Sequence, residues 1–334
     1  TAFSPATGTM FATVTPVNYP PVLGNMPSDP LLYVEDSGML KLLPAVTVSD
    51  VDSPQLASAR VRVTNPLDGD AEWLLATTDG TGITADFADG VLTLVGAASP
   101  ATYQQVLRTV VYWNASQDPD PADRLVEVVV AGTLVASLPY HLNIEVQPVN
   151  DPPFLDLDGA GPGYDYVAVF YINRGPVPIV ATSLTLNDVD TTTLKGAAIR
   201  LTNLKNPQAE ALSADVSSAA NIKRSYDPAT GVLTLTGVDS AANYERVLRT
   251  VTYNNVLPQP NTDERVIEFT VSDGTATSVA RQSRVRLVAA PTVYQFMPLI
   301  AWAARQNEEP NDSCAEALGI SLNRQESFLP DDKD

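Results

Sequence analysis

Histidine and cysteine are almost missing from this chain: His141 and Cys314 are the single examples in 334 residues. One cysteine excludes an internal disulfide framework, and the two together exclude zinc clusters of the Cys/His type. They also leave little for a nucleophile–base couple. Basic residues are scarce: 20 Lys and Arg stand against 39 Asp and Glu, a formal charge of −19. Such a chain offers no basic face to the phosphates of nucleic acid and is repelled by an anionic membrane surface. Long apolar runs are lacking too. No stretch reaches the roughly 18 to 20 residues that insert across a bilayer, and the longest candidate, 296–304, is interrupted by Pro298. No basic segment followed by an apolar one opens the chain, so Thr1 is either a mature start after leader removal or the edge of a fragment. Gly-x-Ser-x-Gly, His-Glu-x-x-His, P-loop and dinucleotide fingerprints are absent. What is present is a hydrophobic content of 44%, enough for real cores, and length for about two domains.

Internal repetition decides the domain count. Asp50-Val51-Asp52 recurs as Asp188-Val189-Asp190, and Val61-Arg62-Val63-Thr64-Asn65 as Ile199-Arg200-Leu201-Thr202-Asn203 at the same offset. Gly90 to Leu94 recurs as Gly231 to Leu235, and Tyr103 to Tyr112 as Tyr244 to Tyr253, both at a slightly larger offset. The change predicts a loop insertion in the second copy, near Asn206. Each copy reads as short strands: residues 59–64 alternate polar and apolar, and Leu142, Ile144 and Val146 alternate with His141, Asn143 and Glu145. Val285 and Leu287 repeat that pattern. One short helix is expected per copy. Ser99-Pro100 supplies an N-cap and a first-turn proline, and Tyr103, Val106 and Leu107 form one apolar face. Ser240, Tyr244, Val247 and Leu248 repeat the arrangement.

Pro148-Val149-Asn150-Asp151-Pro152-Pro153 closes the first copy and recurs upstream as Pro16-Val17-Asn18-Tyr19-Pro20-Pro21. Met10, Ala12 and Val14 take the places of Leu142, Ile144 and Val146. The chain therefore opens with a segment patterned as the last strand of a repeat. A lone amphipathic strand cannot bury its apolar face or satisfy its backbone. Either an upstream domain has been removed, or Met10, Ala12 and Val14 complete a sheet in another molecule. After Ala290-Pro291 the composition shifts to a polar linker, 307–313, and a short tail. The expected organisation is 1–21, an orphan last strand and linker; 22–150, repeat 1; 151–290, repeat 2; and 291–334, a linker with a partial domain or docking tail.

These blocks resemble tandem cadherin-like repeats of bacterial surface proteins, related to the chondroitin-sulfate-proteoglycan type. The motifs that carry the resemblance are 49–53 (SDVDS), 231–237 (GVLTLTG), the Tyr-x-x-Val-Leu-Arg-Thr-Val blocks and 149–153 (VNDPP), with Asp156-Leu157-Asp158 in pattern. The resemblance spans about residues 10 to 290. It implies an all-β fold of two Greek-key sandwiches end to end, extracellular or on a cell surface, serving adhesion or spacing. The tail from Glu309 resembles the first strand of the pre-peptidase C-terminal domain of secreted bacterial proteins. Junctions of cadherin-like repeats often bind calcium. The matching positions are Glu35, Asn150, Asp151, Asp188 and Asp190, whose oxygens suit a hard cation; the alternative is that Asp-Val-Asp merely tops a loop. Tyr19 replaces the linker aspartate upstream, and Asn173 and Arg174 are expected to replace Glu35 and Asp36 in the second copy.

Other chemistry has weaker footing. His141 lies on the polar phase of a strand and reads as a surface residue. Cys314 is either a small buried residue or half of a disulfide to another chain. Trp73, Trp113 and Trp302 suit a sugar platform, but they do not recur at matched positions, and packing in or at the rim of cores is the preferred reading. Asn114-Ala115-Ser116 and Asn311-Asp312-Ser313 match the glycosylation pattern, which is frequent by chance. The leading reading is thus a non-catalytic, secreted structural or adhesion protein, with copies of itself or neighbouring domains of a longer chain as partners. It is expected to polymerise head to tail by donating the segment around Met10 to Pro16. The competitors are a calcium-stiffened spacer of a long adhesin and an accessory region of a secreted hydrolase.

Overall fold

A computed structural model describes residues 11–13, 17–28, 30–159 and 161–290. The first repeat runs β1 (Val22–Gly24), β2 (Leu31–Val34), β3 (Leu40–Lys41), β4 (Thr47–Ser49), β5 (Leu56–Val63), β6 (Glu72–Leu75), β7 (Thr84–Ala88), β8 (Val91–Ala98), α1 (Pro100–Leu107), β9 (Val111–Asn114), β10 (Arg124–Ala131) and β11 (Tyr140–Gln147). Six strands form one sheet in the order β2-β11-β10-β5-β8-β7. Facing it are a three-stranded sheet, β3-β9-β6, and the pair β1-β4.

The second repeat reproduces this strand for strand. It runs β12 (Phe154–Asp156), β13 (Tyr166–Tyr171), β14 (Val177–Pro178), β15 (Thr185–Asn187), β16 (Thr193–Leu201), β17 (Glu210–Ser213), β18 (Lys223–Asp227), β19 (Val232–Ser240), α2 (Ala241–Leu248), β20 (Thr252–Asn255), β21 (Arg265–Ser272) and β22 (Arg281–Val288). Its sheets are β13-β22-β21-β16-β19-β18, β14-β20-β17 and β12-β15. The chain is all-β with two tandem sandwiches and one short helix in each. Among the described residues, no helix is long and apolar enough to cross a membrane.

Alternation builds these sheets. Leu142, Ile144 and Val146 of β11 are buried and the residues between them exposed, and Val285 and Leu287 of β22 repeat this. Each core holds an edge-to-face aromatic pair, Tyr33 with Tyr112 at 5.1 Å and Phe170 with Tyr253 at 5.3 Å between ring centroids. The helices begin as the caps dictate. Ser99 Oγ accepts from Thr102 N–H at 3.1 Å, and Ser240 Oγ from Asn243 N–H at 3.2 Å. Tyr103, Val106 and Leu107, and Tyr244, Val247 and Leu248, are the buried helix faces. The tyrosine hydroxyls of those faces donate to Gly96 O and Gly237 O in β8 and β19. Gly237 has φ +132°, and a Cβ there would collide with the backbone carbonyl of Asn221, so the close approach of the turn before β18 to β19 requires glycine.

Each sandwich also carries a buried arginine. Arg124 Nε donates to Glu72 at 2.8 Å and its Nη2 to Asp68. Arg265 Nε pairs with Glu210, which also accepts from Tyr253 Oη at 2.8 Å. Burial pushes the Glu210 carboxyl up, but donors from Asn206, Arg265, Tyr253 and Lys205 outweigh it and hold the group below its usual range.

The insertion in the second copy lies beyond Asn206. Glu72 and Glu210 still share the first offset, since both begin the strand beside the buried arginine. Extra residues enter between β17 and β18, and in the next turn. Asp89-Gly90 joins β7 to β8 as a two-residue turn with both φ values positive, whereas 228–231 joins β18 to β19. Loop insertions are tolerated there because the strand registers on either side are fixed by burial.

Candidate metal centre between the two repeats

The linker that follows β11 is pinned from both sides. Glu35, just after β2, accepts the Val149 N–H through Oε2 at 2.8 Å. Asn150 Nδ2 donates to Asp273 Oδ2 at 2.8 Å, at the end of β21. The Asp151 N–H donates to Asp190, in the loop between β15 and β16. Asp188 Oδ1 closes that loop as an Asx turn, accepting from Asp190 N–H at 3.1 Å and Thr191 N–H at 3.0 Å. The five residues singled out in the sequence therefore meet around one segment, drawn from both repeats.

The electrostatics of this meeting are unbalanced. Glu35 Oε1, Asp151 Oδ2 and Asp188 Oδ2 are buried and have no hydrogen-bond partner. Burial pushes the Glu35 carboxyl up, with the charges of Asp151, Asp190 and Asp36 adding to it. Asp151 is raised by burial, then by Asp190, Asp36 and Asp188. Asp188 is raised by burial, with Asp273 and Asp190 adding to it against the two backbone donors. Among the described residues, none of Glu35, Asp36, Asp151, Asp188, Asp190 and Asp273 takes part in a salt bridge. Asp273 alone is held low: burial raises it, but the Asn150 amide, the Ala276 and Thr275 N–H groups and the charge of Lys195 prevail.

The donor set is hard oxygen throughout, which is calcium chemistry, and buried carboxylate oxygens without donors are the groups a cation would satisfy. Among the described residues, however, no three His, Cys, Asp or Glu side chains converge closely enough to form a ready-made ligand cage. The carboxylates share the junction without being drawn onto one point.

Asp273 was missed by the sequence reading. It lies in Ser272-Asp273-Gly274, which reads as an ordinary turn, and its partner Asn150 is 123 residues away. Its counterpart at the end of β10 is Gly132. The loop before repeat 1 copies the Asx turn: Asp50 Oδ1 accepts from Ser53 N–H at 2.9 Å, and Asp52 accepts from Tyr19 N–H at 2.8 Å. Tyr19 occupies the place of Asp151, so the linker carboxylate is lacking there. One sequence alignment needs correction. The parallel registers of β2 with β11 and of β13 with β22 place Ile172, not Asn173, opposite Glu35, and Asn173, not Arg174, opposite Asp36. Asp36 and Asn173 share positive φ, 58° and 66°. The glutamate is lost from the second repeat either way.

The remaining candidates fall as follows. Ala12 is exposed and in no strand, while Met10 and Val14 lie outside the described residues. Cys314, Trp302 and Asn311 also lie outside them. His141 is exposed on β11, across from Glu127. Asn114 is buried and its amide donates to Asp68 at 2.6 Å, so the first glycosylation match is engaged in the fold. Trp73 and Trp113 are not in the core; they sit opposite each other on the outer face of β6 and β9.

No family model matches the chain, and no curated protein matches it. Among solved structures it is similar to the C-terminal domain of the Streptococcus pyogenes antigen I/II-family protein AspA, at 11% identity and a TM-score of 0.25, covering 80% of this chain and 99% of that one. Human mucin-like protocadherin EC1-2 is similar at 11% identity and a TM-score of 0.25, over 82% and 100%. The human desmocollin-1 ectodomain is similar at 14% identity and a TM-score of 0.21, over 81% and 42%. At such values the function has to be read from this chain's own geometry.

Proposed function

We propose that the chain is a non-catalytic structural and adhesive segment of an extracellular surface, whose two sandwiches are stiffened by a calcium ion at their junction. The observation that carries this is the set of buried, unpartnered carboxylate oxygens on Glu35, Asp151 and Asp188, contributed by repeat 1, the linker and repeat 2. Leaving such oxygens without donors is costly, and no basic side chain pairs with them. Glu35, Asp151 and Asp188 would hold the ion, joined by Asp190 and Asp273, while Asn150 fixes the linker through Asp273. The ion supplies positive charge to a site that otherwise repels itself. A single tie across the linker converts a hinge into a strut, which suits a spacer or adhesin. Calorimetric titration of the full chain with CaCl2 tests it. One ion per chain with an affinity in the range of extracellular modules, about 10⁻⁴ to 10⁻³ M, is the expected result. No heat at several times that concentration overturns the reading.

Head-to-tail strand donation is a second reading, favoured by one observation: Phe11 is 89% exposed, and 11–13 pair with no sheet. This segment shares the alternation of β11, a strand flanked on both sides by β2 and β10. Among the described residues both sandwiches already hold their own last strand, β11 and β22, so the acceptor in a neighbouring copy would be a domain outside those residues. Removing residues 1 to 17 is expected to abolish filaments seen by electron microscopy; filaments that persist refute donation.

A further inference from the structure

Repeat 2 serves as an internal control for repeat 1, because the same strands fold in the same order. On the outer face of the three-stranded sheet the two copies part company. Trp73, Leu75, Val111 and Trp113 project outward in repeat 1. The strand registers place Ala211, Ser213, Thr252 and Asn254 at those positions in repeat 2. The sandwich is completed without aromatic side chains there, so the fold does not require the tryptophans. Trp73 and Trp113 are 40% and 36% exposed. Trp73 stacks at a tilt on Phe87 of β7, with ring centroids 5.5 Å apart, which extends the aromatic surface across the gap between the two sheets. Beside it lies a cleft of about 370 Å³, whose edges carry Asp70 and Asp89 together with Gly69 and Gly90.

We propose that this face binds a neutral glycan, the pyranose rings lying on Trp73 and Trp113 and their hydroxyls donating to Asp70 and Asp89. A pyranose pairs an apolar C–H face with a polar hydroxyl rim, and the cleft supplies the complement of both: the Trp73 and Phe87 rings flanked by acceptor-only carboxylates, with Trp113 across from Trp73 on the neighbouring strand. Charge argues against an acidic polysaccharide, since the cleft is edged by carboxylates and the chain carries −19. The proposal deepens the adhesion reading by naming a ligand class, and rests on it. It does not depend on the junction cation, which lies on other residues.

Affinity electrophoresis of the full chain through gels containing xylan, mixed-linkage β-glucan or galactomannan tests it, with alginate as the anionic control. The expected result is retardation by at least one neutral polymer and none by alginate, unchanged between calcium and EDTA. The double variant Trp73→Ala, Trp113→Asn installs the residues of repeat 2 and is expected to weaken retention about tenfold or more. Trp113→Asn alone, and the shift of wild-type tryptophan fluorescence on adding the retarding polymer, provide the same reading should the double variant not fold. Migration unaffected by every neutral polymer overturns the proposal, as does retention that survives in the folded variant. Concentration-dependent self-association abolished by the double variant also overturns it, assigning the face to a second copy. Calcium uptake that persists while glycan binding fails leaves the junction reading standing and removes this one alone.

Discussion

Asp188→Asn separates the two roles of the junction carboxylates, because asparagine keeps the oxygen that accepts from Asp190 and Thr191 and loses the charge. In calcium, the wild type is expected to gain the binding free energy of the ion. At about 10 mM calcium and an affinity of 10⁻⁴ to 10⁻³ M, linkage gives about 1.4 to 2.7 kcal/mol. For two repeats melting together that is a rise of roughly 2 to 5 °C in Tm. The variant is expected to lose most of it. In EDTA the order reverses. Asp188, Glu35 and Asp151 are raised above their ordinary values by burial and by one another. A carboxyl raised in the folded state contributes stability below its unfolded pKa, and that contribution is lost as pH rises through the folded value. At pH about 7 the charged Asp188 is therefore a liability, and the EDTA-treated variant melts above the wild type. The gap closes as pH falls into the carboxylate range and Asp188 takes up its proton. Differential scanning calorimetry of both proteins, with and without calcium, reads all three effects. A wild-type Tm indifferent to calcium, or a variant that melts lower in EDTA, refutes the reasoning.

Arg265→Leu strands Glu210 as a buried charge and is expected to cost about 3 to 5 kcal/mol, read as a lower urea midpoint at unchanged slope. Arg286→Ala, which removes an exposed partner of Glu264, is expected to cost less than about 1 kcal/mol in the same assay. Gly237→Ala forces a Cβ into Asn221 at a backbone angle that L residues avoid; a loss above about 2 kcal/mol is expected. A melting curve like the wild type's would show that the Asn221 turn does not approach β19 this closely.

Periodic features were legible in the sequence because each is set within a few residues. Ser99-Pro100 and the Tyr103, Val106, Leu107 face fix α1 locally, and the alternation of 142–146 fixes which face of β11 is buried. The Asp-Val-Asp loops and the linker stand out by repetition, while Glu35 was placed by the resemblance to cadherin-like repeats. Asp273 was not, since nothing in a Ser-Asp-Gly turn announces a partner more than a hundred residues away. The outward placement of Trp73 was not legible for a different reason. Glu72-Trp73-Leu74-Leu75 alternates with a leucine on each face, so period alone does not choose the inner one. Glu72 turns inward because Arg124 reaches it from the facing sheet and makes an inward carboxylate tolerable. The face a strand turns outward was thus decided by an arginine on another strand, which single-strand patterning does not register.

The parallel ladders that join the first long strand of each sandwich to its last have a mechanical meaning. A pull on the two ends of a repeat draws β2 and β11 in opposite directions along their own axes, so their hydrogen bonds are loaded in shear and must yield together. Repeat 1 holds four residue pairs in this ladder and repeat 2 holds six, from Tyr166 with Ser283 to Tyr171 with Val288. Under rising tension the first repeat is expected to give way before the second, leaving the longer clamp as the reserve.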